Sequence, residues 1–258
     1  MGISETCSGS TACTIVLQYV IPSLGAIASC CLCISPLPTV NRCVLDRKTG
    51  STNTLPYALC AANSLVWITY SWYIKDYFVF SPNVFGYLAS LYFTLVLLPI
   101  SPPEKQGTTI KALLGLSGFV LISVGVLVIA DVERETGLVV MGVIANLVLI
   151  IFYASPLAVC WKVIKERDSS ALDALLTLAT AINCILWSAY GIALGNYFIA
   201  VPNGLGLVFS LFQGFLIWRY GRAKQDVEGG GAYTPAASGL LPRADDDDSV
   251  KGEMLQAK

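Results

Sequence analysis

The chain has 258 residues, 55% of them hydrophobic and only 13% charged, with a mean hydropathy of +0.67. Too little charge remains to cover the surface of a water-soluble domain. The formal net charge of −1, with no cluster of Lys and Arg, removes the cationic surface that nucleic acid phosphates require, so no nucleic-acid partner is expected.

Acidic and basic residues leave six uncharged stretches, 6–41, 49–74, 77–103, 112–130, 136–161 and 174–218, and there is no His. A membrane-spanning helix needs about 20 mostly apolar residues. The segment MGISETCSGSTAC has no positive leader region, so residues 1–13 are expected to stay as an extracytosolic N-terminus. MGISET fits a myristoylation pattern, but the topology below puts Gly2 outside the cytosol. Cys7 and Cys13 could close a small loop on that side. The first predicted span is 14–35; Cys30, Cys31 and Cys33 within it have no His or carboxylate nearby and read as small packing residues, not metal ligands. Further spans follow at 55–74, 77–100, 111–130 and 137–160. The last stretch holds two, 174–194 and 197–218, with a break near Gly191, Gly195 and Asn196. Residues 223–258, rich in Gly, Ala, Pro and Asp, predict a disordered cytosolic tail in which Asp245–Asp248 is a solvated charge run.

Lys and Arg fix the expected orientation. Arg42, Arg47, Lys48, Lys105, Lys111, Lys162, Lys165, Arg167, Arg219, Arg222 and Lys224 fall on one side of the seven spans, and only Lys75 and Arg134 on the other. Eleven against two puts the N-terminus outside and the C-terminus in the cytosol.

An internal repeat governs the rest. Shifted by 120 without gaps, Leu55, Ala61, Asn63, Trp67, Tyr70, Tyr77, Phe78, Pro82, Asn83 and Gly86 meet identical residues, and Ser35, Pro36 and Leu37 meet Ser155, Pro156 and Leu157. The repeat therefore covers spans one to three and five to seven. Three spans reverse the chain's direction, and the unmatched fourth restores it, so the two bundles are expected to face the same way about an axis along the membrane normal. The expected architecture is an all-α membrane protein with seven transmembrane helices. Two parallel three-helix bundles, 14–103 and 134–222, are joined by an inversion helix in the linker 104–133.

Asn63 and Trp67 are four apart and so share a helix face near the bilayer midplane. Doubled by the repeat, they predict a central chamber offering Asn63, Asn83, Asn183 and Asn203, walled by Trp67 and Trp187. An amide gives donors and acceptors, and an indole suits the C–H face of a ring, so the set fits a neutral polyol. The alternative for each Asn is interhelical hydrogen bonding alone. Pro82 and Pro202 lie inside helices and each removes a backbone hydrogen bond.

SPLPTV, LPYALCAANSLVW, YFVFSPNVFG, YASPLAVCWKVIK, NCILWSAYG and YFIAVPNGLG together resemble the SWEET sugar transporters (MtN3/saliva, PQ-loop type) over about residues 14–222. Where related PQ-loop proteins carry Pro-Gln, this chain has SPLP and SPLA, which favours the SWEET branch. The resemblance implies that Asn83 and Asn203 are the central sugar ligands, that Trp67 and Trp187 flank them, and that Pro36, Pro56 and Pro156 are gating prolines on the cytosolic side. The fourth such proline is missing from SSALDALL. Tyr70 and Tyr190 match aromatic positions toward the outer gate. The resemblance further implies a sugar as substrate, membrane lipid as surroundings, a homo-oligomer with one pathway per chain, the plasma membrane as location, and no cofactor.

No nucleophile and base lie together, which argues against an enzyme, and the seventh span lacks the lysine of a retinal protein. A PQ-loop amino-acid transporter is disfavoured because no Asp, Glu or His lies within the spans. The same absence leads to an expectation of energy-independent, bidirectional facilitation by alternating access. The size of Asn63, Asn183, Leu32, Leu149 and Phe152 leads to an expectation of monosaccharides such as hexoses, with a sucrose-type disaccharide as the alternative.

Overall fold

The computed structural model describes residues 7–50 and 52–221, except for the side chains of 152–156. Gly2, the tail from 223 with its Asp245–Asp248 run, and the side chains of Phe152 and Pro156 lie outside the described residues. Those described are helical and turn segments without strands.

The first span is three pieces in line. A Cys7–Cys13 disulfide, with Cα atoms 5.5 Å apart, ties the approach to α1 (Thr11–Ile15). A wide π turn, Val16–Val20, then leads into α2 (Ile21–Ile34). Pro22 explains the wide turn, because it has no N–H for the carbonyl four residues back and its ring would crowd that carbonyl. At Ser35–Pro36 the helix breaks, and α3 (Leu37–Leu45) begins. The remaining helices are α4 (Leu55–Ile74), α5 (Tyr77–Leu97), α6 (Pro103–Ile129), α7 (Arg134–Glu166), α8 (Ala174–Ala193) and α9 (Tyr197–Tyr220). Gly191, expected at the break between the last two spans, lies inside α8; the turn is confined to Leu194–Asn196.

Six segments among the described residues are long and apolar enough to cross a bilayer, and α4 is the span not among them. It has the length, at 20 residues, but Asn63, Ser64, Thr69, Tyr70 and Ser71 dilute its hydropathy. Packing resolves the difference. Helix α4 is gripped by α5, α6 and α7, and Ser64, Trp67, Tyr70 and Ser71 are buried within protein. A helix shielded in this way needs less lipid-compatible surface.

Within each half the third helix of the repeat lies between the other two, giving α2–α5–α4 and α7–α9–α8. The halves join through α2 on α8 and α4 on α7, which are the same contact under the repeat. The correspondence extends to detail: residues 81–90 and 201–210 run through the same order of buried and exposed positions. Both halves also make the same turn. Asp76 N donates to Ser71 O at 3.0 Å and Asn196 N to Gly191 O at 2.8 Å, around Lys75 (φ 57°) and Gly195 (φ 67°) respectively.

The apolar cores divide unevenly along the axis. Near the face carrying the N-terminus, one core is shared by both bundles and includes Trp67, Tyr70, Val79, Ile144, Val148, Trp187, Tyr190 and Ile199. Near the opposite face each bundle has its own: Val40, Cys43, Phe93 and Leu97 in one, Cys160, Val163, Leu172 and Leu216 in the other. The bundles are thus fastened at the N-terminal face.

A left-handed backbone costs an L-residue about 1–2 kcal/mol that glycine escapes. Gly195→Ala is therefore expected to lower stability by about 1 kcal/mol and Lys75→Gly to raise it by a similar amount. Thermal unfolding of the purified protein in detergent checks both signs.

Candidate substrate-binding site

A cavity of about 280 Å³ opens where the bundles meet, lined by Asn63, Asn83, Asn183, Asn203, Trp67 and Trp187 together with Pro82 and Pro202. All six side chains read from the sequence as a chamber are thus brought together. Leu32 and Leu149 also line it, as do Ser29, Cys33 and Cys60, which the repeat alone did not single out.

Three of the four Asn side chains are held by their own helix or by a neighbour. Asn83 Nδ2 donates to Val79 O at 2.7 Å and Asn203 Nδ2 to Ile199 O at 2.8 Å, both one turn back. These bonds fix the rotamers and leave the amide oxygens and second amide protons of this repeat-related pair to the cavity. Across the pair Asn63 and Asn183 the partners differ. Trp187 Nε1 donates to Ser29 Oγ at 2.9 Å, and Ser29 Oγ donates to Asn183 Oδ1 at 2.8 Å. Gly25 lets the Trp187 ring lie against α2, since a Cβ there would meet the indole at 3.2 Å. Asn63 Oδ1 is buried without a hydrogen-bond partner. The carbonyl that Pro202 leaves without its helical donor, on Phe198, accepts from Asn146 Nδ2 at 3.5 Å. A side chain of α7 thus takes the place of the missing helical donor.

Above the cavity, at the N-terminal face, the halves are pinned by two crossed hydrogen bonds. Tyr70 OH donates to Asn196 Oδ1 at 2.9 Å, and Tyr190 OH donates to Asp76 Oδ2 at 2.8 Å. The two are mates under the repeat, as are the edge-on ring pairs Tyr70–Phe198 and Tyr190–Phe78, at 6.0 and 6.4 Å. Each tyrosine rests on a tryptophan of its own helix, Trp67 at 5.5 Å and Trp187 at 5.9 Å. Asp76 and Asn196 are also helix caps: Asp76 Oδ1 accepts from Phe78 N and Val79 N, and Asn196 Oδ1 from Ile199 N. Sequence reasoning missed them. The signal was present, because a polar cap residue precedes the repeated Tyr-Phe at both 76 and 196.

The prolines are spread out. Pro36 stands at the break between α2 and α3, and Pro56 lies in the first turn of α4, where a missing N–H costs nothing. Position 156 falls inside the unbroken helix α7, its side chain outside the described residues.

Fold and cavity together define a membrane transporter built from two parallel three-helix repeats. The family of sugar efflux transporters for intercellular exchange matches this chain twice, at residues 19–105 and 139–225, one match per bundle, and the chain belongs to that family. It is thereby an integral membrane protein of a family of transporters, not of enzymes. Among curated relatives, the bidirectional sugar transporter SWEET12 of Oryza sativa subsp. japonica is 29% identical over 215 residues, covering 81% of this chain and 70% of that protein. SWEET9 of Arabidopsis thaliana, also described as a bidirectional sugar transporter, is 28% identical over 218 residues, covering 82% and 83%. The 3.7 Å structure of a eukaryotic SWEET transporter matches with a TM-score of 0.71 at 24% identity, over 80% of this chain and 97% of that one.

Of the crossed bonds at the N-terminal face, the one to Asp76 is charge-assisted and the one to Asn196 is neutral. Tyr190→Phe is expected to destabilise the protein by about 1.5–3 kcal/mol and Tyr70→Phe by about 0.5–1.5 kcal/mol. Denaturation of both variants in the same detergent checks the order.

Proposed function

We propose that this chain is a sugar uniporter working by alternating access, with hexose-sized monosaccharides as substrate. The observation that carries the reading is the central cavity, uncharged and lined by Asn and Trp from both repeats, in a chain of the sugar efflux transporter family. Asn83 and Asn203 are the central hydroxyl ligands, Asn63 and Asn183 contribute from further below the N-terminal face, and Trp67 and Trp187 face the sugar ring. A cavity of about 280 Å³ sits at the small end of ligand pockets, roughly 300–1,000 Å³. That favours one ring over the two of sucrose, as does the bulk of Leu32 and Leu149.

In this reading Tyr70 and Tyr190 close the outer gate, and the separate cores at the opposite face correspond to an inward-open state. Pro36, Pro56 and Pro156 belong to the cytosolic gate. The excess of Lys and Arg on the C-terminal side supports an N-terminus outside, with the plasma membrane as location. The Cys7–Cys13 disulfide fits the same orientation, since disulfides persist in oxidising compartments. Association into homo-oligomers completes the proposal.

Uptake of glucose and sucrose by transporter-deficient cells expressing the chain tests substrate and site together. Glucose is expected to be carried faster. Asn83→Ala and Asn203→Ala, at matched surface expression, are each expected to reduce its uptake about tenfold, the worth of roughly one lost hydroxyl hydrogen bond. Faster sucrose transport overturns the size argument, and normal uptake by both variants overturns the ligand assignment.

Coupling to a proton gradient requires a titratable group that changes exposure. Asp76, at the edge of the spans, is the carboxylate nearest the pathway, and it is engaged by a helix cap and Tyr190. Flux is therefore expected to be downhill and unchanged by a protonophore in proteoliposomes. Accumulation above the external sugar concentration under an inward-acid gradient would contradict it.

A further inference from the structure

The repeat that equates Asn63 with Asn183 also equates Ser29 with Leu149. These residues sit at the two junctions between bundles: α2, with Ser29, packs on α8, with Asn183, and α7, with Leu149, packs on α4, with Asn63. All four line the cavity. Geometrically the junctions are equivalent, yet chemically they are opposites. At the first, Ser29 takes the indole proton of Trp187 and gives its own to Asn183 Oδ1. At the second, leucine offers neither a donor nor an acceptor, and Asn63 Oδ1 is left buried and unpartnered. A buried carbonyl in that condition is rare in a native structure and calls for a donor from elsewhere. Asn83 and Asn203 have matching bonds, so the broken symmetry lies in the other asparagine pair.

We infer that the sugar binds off the pseudo-twofold axis in one orientation, with one particular hydroxyl donating to Asn63 Oδ1, and that Leu149 and Ser29 are the positioning residues that impose it. Ser29 withdraws the carbonyl of Asn183 and the N–H of Trp187 from the substrate, leaving that side as a fixed wall. Leu149 leaves the Asn63 carbonyl without a donor from the protein. The inference rests on the sugar reading above and adds a direction to it.

The test is uptake kinetics of the full chain in proteoliposomes, with glucose and its five monodeoxy analogues at carbons 1, 2, 3, 4 and 6. Wild type is expected to discriminate about tenfold in KM against one analogue, the one lacking the donor to Asn63. Leu149→Ser places at α7 the hydroxyl that Ser29 provides at α2. It is expected to raise the KM for glucose about tenfold, to leave the maximal rate within about twofold, and to erase that discrimination. Asn63→Leu is expected to erase it as well. Leu149→Ala removes bulk without adding a donor and is expected to keep it, which separates hydrogen bonding from packing. The inference is overturned if Leu149→Ser and Leu149→Ala behave alike, if discrimination survives Asn63→Leu, or if Asn63→Leu and Asn183→Leu raise KM equally, as a carbonyl satisfied by a trapped water would allow. Should the wild-type chain carry neither glucose nor any analogue, the sugar reading falls first and the inference with it.

Discussion

A polar side chain placed in hydrocarbon must find its partner within the protein, and this requirement decides where the polar groups of this chain stand. Asn83 and Asn203 donate to carbonyls of their own helices. Tyr70 and Tyr190 reach across to the opposite half, and Ser29 joins Trp187 to Asn183. All of these lie on the surfaces where the bundles meet. The outward faces of α6 and α9 carry Leu121, Ile122, Val128, Leu205, Val208 and Leu211, which ask for nothing but lipid. Concentrating the polar groups on the shared axis gives both a stable membrane fold and a cavity whose few polar groups converge.

The closure at the N-terminal face uses groups the fold needs anyway. Asp76 and Asn196 satisfy the free N–H groups at the starts of α5 and α9, and the same oxygens or their neighbours receive the tyrosines. At Asn196 one oxygen serves both the cap and the tyrosine, whereas at Asp76 the two carboxylate oxygens divide the work. At this face the halves are held by these two hydrogen bonds, the aromatic contacts around them and the shared apolar core.

Much of this was legible because the chain states it twice. Ten identities at one offset located the four asparagines, both tryptophans and both tyrosines, and the unmatched fourth span dictated that the bundles face the same way. What the repeat hid were its own exceptions. Ser29 opposite Leu149, and Asp76 opposite Asn196, are not identities, and a search for sameness passes over them. Their importance comes from which helices touch, α2 with α8 and α4 with α7, and that is a fact of tertiary packing. Helix α4 was legible at 55–74 from its freedom from charge, but the reason it can be less apolar than the other spans was not: its surroundings are protein on several sides, and composition carries no record of neighbours.

The break at Pro36 has a counterpart that does not break, because α7 runs on through position 156 to Glu166. One half therefore ends in a separate short helix, α3, packed onto Phe93 and Leu97, while the other ends in one continuous helix. The two halves are in consequence unlike at the C-terminal face, one interrupted and the other unbroken. The twofold correspondence that holds in detail at the N-terminal face is therefore lost at this end of the molecule.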